Sequence, residues 1–151
     1  MSSKKDQHRF VGAMPPLLEP NAPLPAKDFV VTILLIVKDV ARARKFYERV
    51  FDAQVIEDDD PAVLRLANTW LLINSGGGPT DDKPTVTAAP PADADRLSIA
   101  MNLRVADIRA CYDLWRSRGA KFLTAPKVHE GEIRCYIRDP DGYLIEVGQT
   151  T

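Results

Sequence analysis

"RCYIRDPDGYLIEV", residues 134–147, is the stretch on which the reading of this chain turns. Two short apolar runs flank Asp139-Pro140-Asp141-Gly142. Proline suits the second position of a type I turn because its ring fixes φ, and glycine suits the left-handed position that follows. A type I turn with a G1 bulge is therefore expected, which pairs Asp139 with Tyr143 and sets Tyr136 opposite Glu146. Arg138 and Leu144 share that face near the turn, and Arg134 and Glu132 continue it, while Tyr143, Ile145 and Val147 point the other way. A plain two-residue loop would instead oppose Cys135 to Glu146. Either way Glu146 is a carboxylate inside an apolar strand, a costly placement unless something pairs with it.

Upstream, the chain repeats itself. "LLIVKDVARARKFYERVFDAQVIE" (34–57) and "NLRVADIRACYDLWRSRGAKFL" (102–123) each hold a strand ending in Val, an Asp, a helix and a second extended run. Val37 and Asp39 match Val105 and Asp107 at an offset of 68, as Phe46 and Tyr47 match Leu114 and Trp115, the mark of an internal duplication. Asp39 and Asp107 stand where N-caps belong. Val40, Ala43, Phe46, Tyr47 and Val50 form one helical stripe; Ile108, Cys111, Tyr112, Leu114 and Trp115 form the other, ended by Gly119. Strands are expected at 54–58, 62–67 and 69–74, then at 121–123 and a few residues beyond, 132–138 and 143–148. The chain thus divides into a Pro-rich arm (1–28), module one (29–75), a linker (76–96) and module two (97–149). Five of the twelve prolines lie in residues 15–25 and four in 79–91, which marks the arm and the linker. The expected class is α+β: two βαβββ modules whose curved mixed sheets enclose a central cavity.

With 151 residues, 45% hydrophobic and 27% charged, the chain has the makings of one globular domain with its own core. A formal net charge of −1 offers no footprint for nucleic acid or an anionic membrane. No apolar run reaches the ~18 residues of a membrane span. The apolar part of the N-terminus is short and broken by Pro15 and Pro16, unlike a signal peptide. With Cys111 and Cys135 the only cysteines, reduced thiols in a cytoplasmic protein are expected.

Strand alternation assigns the cavity face. Ile99, Met101, Leu103 and Val105 should meet the helix, leaving Ser98, Ala100, Asn102 and Arg104 for the cavity; 68 residues earlier the cavity side holds Thr32, Leu34 and Ile36. Asn102, Arg104, Arg134 and Tyr136 are the candidate neighbours of Glu146. The simplest alternative is that Glu146 pairs with Arg104 or Arg134 and only shapes the sheet.

The duplicated "VxD–amphipathic helix" modules ending in "RDPDGYLIEV" resemble the vicinal oxygen chelate superfamily, which includes glyoxalase I, extradiol dioxygenases, fosfomycin-resistance enzymes and bleomycin-resistance proteins. The resemblance covers residues 29–149 and implies two βαβββ modules around a cavity. It also implies a divalent metal held by His on the first strand of each module and Glu on the last. Glu146 matches one such Glu, but the two His positions are Thr32 and Ala100, and the last-strand position of module one falls at Ile73. His129, in "KVHEGEIR", is the one other donor that could reach Glu146 from a rim loop. The leading expectation is a protein that binds a small organic molecule through Thr32, Leu34, Asn102, Arg104, Arg134, Tyr136 and Glu146, with no usual metal site. The alternative is a lyase, isomerase or dioxygenase, though not classical glyoxalase I. It would use Glu146 as base beside Tyr136, or Glu146 and His129 as ligands of a non-standard metal. Family likeness further implies a homodimer; a third reading makes the arm an interaction segment.

Overall fold

The computed structural model describes residues 29–151 and, from the arm, the antiparallel pair β1 (Leu18–Glu19) and β2 (Ala22–Pro25). The rest of the expected arm, residues 1–28, lies outside the described residues. Module one runs β3 (Ile33–Ile36), α1 (Val40–Phe51), β4 (Gln54–Glu57), β5 (Ala62–Leu66) and β6 (Thr69–Asn74). Module two runs β7 (Met101–Arg104), α2 (Ile108–Ser117), β8 (Lys121–Phe122), β9 (Lys127–His129), β10 (Glu132–Arg138) and β11 (Leu144–Thr150). The sheet orders are β3-β6-β5-β4 and β7-β11-β10-β8, with β9 also on β10. In each sheet the first strand is parallel to the last and the remaining pairs are antiparallel. The duplication in sequence is thus a duplication of topology, and the fold is α+β.

Both helices begin where the aspartates predict. Asp39 accepts from Arg42 N at 2.9 Å and Asp107 from Ala110 N at 3.0 Å, each satisfying a backbone donor that a helix start leaves bare. Ala43, Phe46, Tyr47 and Val50 are buried as the stripe requires. The second stripe is shallower: Ile108 is fully buried, but Leu114 is 46% exposed, so it does not join the core as expected. Ile99 is also corrected. It precedes β7, is 87% exposed and meets no helix, whereas Met101, Leu103 and Val105 pack against the core.

A single hydrophobic cluster runs through both modules, from Leu35, Tyr47 and Leu64 to Ile108, Ile137 and Val147. Cys135 belongs to it, and burial pushes its thiol up to about 11; neither it nor Cys111 is in a disulfide. The polar joint between the modules is the turn 139–142. Asp139 N donates to Tyr143 O at 2.9 Å and Gly142 has φ +94°, the expected bulged turn. Asp139, only 4% exposed, accepts from the N–H groups of Asp141 and Tyr143, each at 2.9 Å, and from the Tyr47 hydroxyl of α1 at 2.8 Å. Asp141 accepts from Lys38 N at 2.8 Å and from the Arg42 guanidinium at 3.3 Å. Tyr143 donates to Ile36 O at 2.9 Å. One turn of module two is therefore bolted to the strand end and helix start of module one.

Two outcomes follow. Tyr47→Phe should cost about 1–3 kcal/mol, because it leaves a buried oxygen of Asp139 without its donor; chemical denaturation measures it. Burial pushes the Asp139 carboxyl above its usual range against the bonds from Tyr47 and the turn. A raised folded pKa means the contribution is full at acid pH and lost as pH rises through that pKa. The stability of wild type relative to Asp139→Asn should therefore fall between acid and neutral pH. A difference that rises over that range would contradict it.

Candidate functional site

Across β10–β11 the pairs are Tyr136↔Glu146, Arg138↔Leu144 and Arg134↔Gly148, and β7 sets Asn102 beside Glu146. These side chains lie on the sheet face away from α2, as alternation predicts. The Glu146 carboxylate takes the Tyr136 hydroxyl on one oxygen at 2.5 Å and the Asn102 amide on the other. Hydrogen bonding to that carboxylate raises the Tyr136 phenol above its ordinary pKa, with burial and the negative charge adding in the same direction.

Arg104 and Arg134 do not pair with Glu146. Both turn to Glu132, at 3.1 and 2.8 Å, and Arg104 also donates to Thr150 Oγ1 at 2.8 Å. The two guanidinia hold the Glu132 carboxyl below its usual range. Gly148 makes this possible. A Cβ there would stand 2.0 Å from Arg104 Nη1, so only a residue without a side chain lets Arg104 lie across β11. The result is two adjacent polar groups: Asn102–Glu146–Tyr136, and Arg104–Glu132–Arg134 beyond it along the strands.

The first strands of the two modules meet along a seam. A cavity of about 320 Å³ there is lined by Thr32, Leu34, Ile99, Ala100, Tyr143 and Leu144 among others, and a second of about 260 Å³ by Ala67, Asn68, Ala100 and Asn102. Leu34 is 61% exposed on this face, so the concave side presents apolar surface to solvent. Further into module one, Val63 and Trp70 are buried on the side of the sheet opposite α1, and the Arg65 guanidinium sits 5.9 Å from the Trp70 ring.

The strand pairing revises one correspondence. Glu146 neighbours Asn102, whose repeat mate Leu34 neighbours Leu72; the equivalent of Glu146 in module one is therefore Leu72. Ile73 is fully buried and points into the core. Counting along the sequence missed this because the hairpins of the two modules differ in length. The ligand positions of the resembling family are thus a hydroxyl (Thr32), a methyl (Ala100), an isobutyl group (Leu72) and one carboxylate (Glu146). That set does not fit a transition metal, which needs three or four nitrogen, sulfur or oxygen donors. His129 does not complete it. It lies on β9 rather than a loop, exposed, opposite Glu132. Tyr136 is four positions further along β10, about 13 Å at the rise of a strand. Among the described residues no group of three or more His, Cys, Asp or Glu side chains is placed to hold a metal ion.

The Tyr136–Glu146 bond has a spectroscopic signature. Glu146→Gln should move the Tyr136 phenol titration back towards the ordinary range, read as the absorbance step lost in Tyr136→Phe. An unchanged step would mean that the carboxylate does not control the phenol.

Comparison with known proteins agrees with this architecture. Residues 30–147 match the family model described as "Glyoxalase/Bleomycin resistance protein/Dioxygenase superfamily". A glyoxalase/bleomycin resistance protein/dioxygenase from Nocardioides is 16% identical with a TM-score of 0.64, over 83% of this chain and 85% of that one. The fosfomycin resistance protein FosX from Mesorhizobium loti is 20% identical with a TM-score of 0.60, over 83% and 94%. TnmS3, an antibiotic binding protein from Streptomyces sp. CB03234, is 20% identical with a TM-score of 0.57, over 83% and 98%. No curated protein matches the chain. With about four-fifths of the chain matched and the strand order of one sheet repeated in the other, β9 apart, the chain belongs to the glyoxalase/bleomycin resistance protein/dioxygenase superfamily, the vicinal oxygen chelate fold.

Proposed function

We propose that the concave face binds a small organic molecule without the metal ligand set of the family's enzymes. One observation carries this reading: both oxygens of Glu146 are fixed by Asn102 and Tyr136 on an open, partly apolar face where the family's two His positions are Thr32 and Ala100. A carboxylate held in this way is a positioned acceptor. Each oxygen has a lone pair left for a hydroxyl or amine of a ligand. Leu34, Ala100 and Leu144 supply apolar surface beside it, the mixture usual in ligand pockets. The ligand class is a mostly apolar molecule with at least one hydrogen-bond donor. An antibiotic-binding protein of this fold offers a precedent in kind.

A catalytic reading with Glu146 as base would use the same remaining lone pairs, and turnover of a bound hit that is lost in Glu146→Gln would favour it. A homodimer and a cytoplasmic setting remain part of the proposal, supported by family likeness and by the sequence reading. No helix among the described residues is long and apolar enough to cross a membrane.

The test is a ligand screen by thermal shift on metal-free protein, followed by calorimetry. A donor-bearing hit should bind about tenfold or more weakly to Glu146→Gln, the loss of one charged hydrogen bond. Elemental analysis after incubation with Mn, Fe, Zn, Ni and Co runs beside it. Stoichiometric metal that disappears in Glu146→Gln would sink the metal-free reading and favour an oxygen-chelating enzyme.

A further inference from the structure

At the end of module two's sheet, away from the Glu146 group, α1 and the turn 139–142 border a separate cavity of about 700 Å³. Five cationic side chains line it: Arg42, Lys45 and Arg49 from α1, Lys121 from β8 and Arg138 from β10. Positions 42, 45 and 49 fall on one face of a helix, so their convergence is built into α1. In a chain whose formal net charge is −1, this is a marked local excess of positive charge.

Arg42 is paired with Asp141 and Arg138 with Asp95, and the other three cations pair with no carboxylate among the described residues. Lys45 and Lys121 make no side-chain bond among the described residues. Arg49 donates through Nε to Arg118 O at 2.8 Å, which fixes the guanidinium and leaves its terminal nitrogens available. Arg138 is anchored on Ala94 O at 2.5 Å and on Asp95 at 3.0 Å. Two carboxylates share the lining. Asp139 is committed to Tyr47 and its own turn, and Asp141 holds Lys38 N and Arg42 through Oδ1. The other oxygen, Asp141 Oδ2, is buried with no hydrogen-bond partner, and the Asp141 side chain is 0% exposed. Both carboxylates are thus closed off from the groove, and the charge that faces it is positive.

We infer that this groove is a second site, which takes a phosphorylated small molecule. Guanidinia anchored on one side present parallel N–H groups that suit the several oxygens of a phosphate, and the two lysines add point charge. The volume exceeds what a bare phosphate fills, so the ligand has a body. Gly119 lines the cavity opposite the Arg49 guanidinium. A Cβ there would make only ordinary contact with it, at 3.5 Å, and glycine is called for by the backbone φ of +94°.

The probe is glucose 6-phosphate, titrated into the full chain at low salt by calorimetry or amide NMR, with glucose and inorganic phosphate as separate arms. Binding is expected in the millimolar range or tighter, weakening as salt screens the charges. Lys45→Ala/Lys121→Ala, which removes two exposed and unbonded side chains, should weaken it about tenfold. Glu146→Gln should leave binding intact, which separates this site from the concave face. The proposal is overturned by no binding at millimolar probe, by equal affinity in the double variant, or by inorganic phosphate binding as well as the sugar phosphate. Capture by phosphatidate vesicles with no glucose 6-phosphate binding would assign the charge to a membrane surface and overturn it too.

Discussion

A single buried carboxylate, Asp139, holds the molecule's geometry. It gathers the turn that joins β10 to β11 and receives the Tyr47 hydroxyl from a helix 92 residues earlier in the chain. The turn's bulge sets the hairpin register, so the same residue that docks module two on module one also places Tyr136 opposite Glu146. Loss of that side chain would be felt twice, once in how the modules meet and once in which side chains face the concave side. Buried polar joints of this kind cost desolvation but tolerate few alternative arrangements.

Duplication explains why the site is built from two unlike walls. The repeats share strand order, helix caps and the parallel pairing of first and last strand, all features of backbone and core. Their concave faces have diverged. Module one offers Leu34 and Leu72, with Trp70 and Val63 packed beyond them. Module two offers Asn102, Tyr136 and Glu146 and the arginine pair around Glu132. Core positions are bound by packing, whereas a solvent-facing cavity wall is free to change with its ligand.

Much of this was legible in the sequence, and the exceptions have physical causes. The Asp-Pro-Asp-Gly turn announced its bulge because proline and glycine each permit few backbone conformations, and the register followed. The N-caps were equally plain. The partners of Arg104 and Arg134 were not, because strand alternation gives the face a side chain occupies but not which of several neighbours a long flexible chain will reach. Glu132 won both, helped by the bare backbone at Gly148. β9 is three exposed residues and carries no apolar signature. The roles of Asp139 and Asp141 at the module joint depend on Lys38, Arg42 and Tyr47, about a hundred positions away, and no local pattern reports contacts of that range.

The difference between the two walls has a geometric consequence. A flat ligand on the concave face would meet hydrocarbon on one side and a fixed row of donors and acceptors on the other, with the two guanidinia always towards the same end. Such a surface has no mirror symmetry and no twofold symmetry, although the backbone beneath it is nearly twofold. A nearly twofold backbone alone would take such a ligand in two equivalent orientations; the unlike walls leave one, with the donor-bearing edge on Glu146.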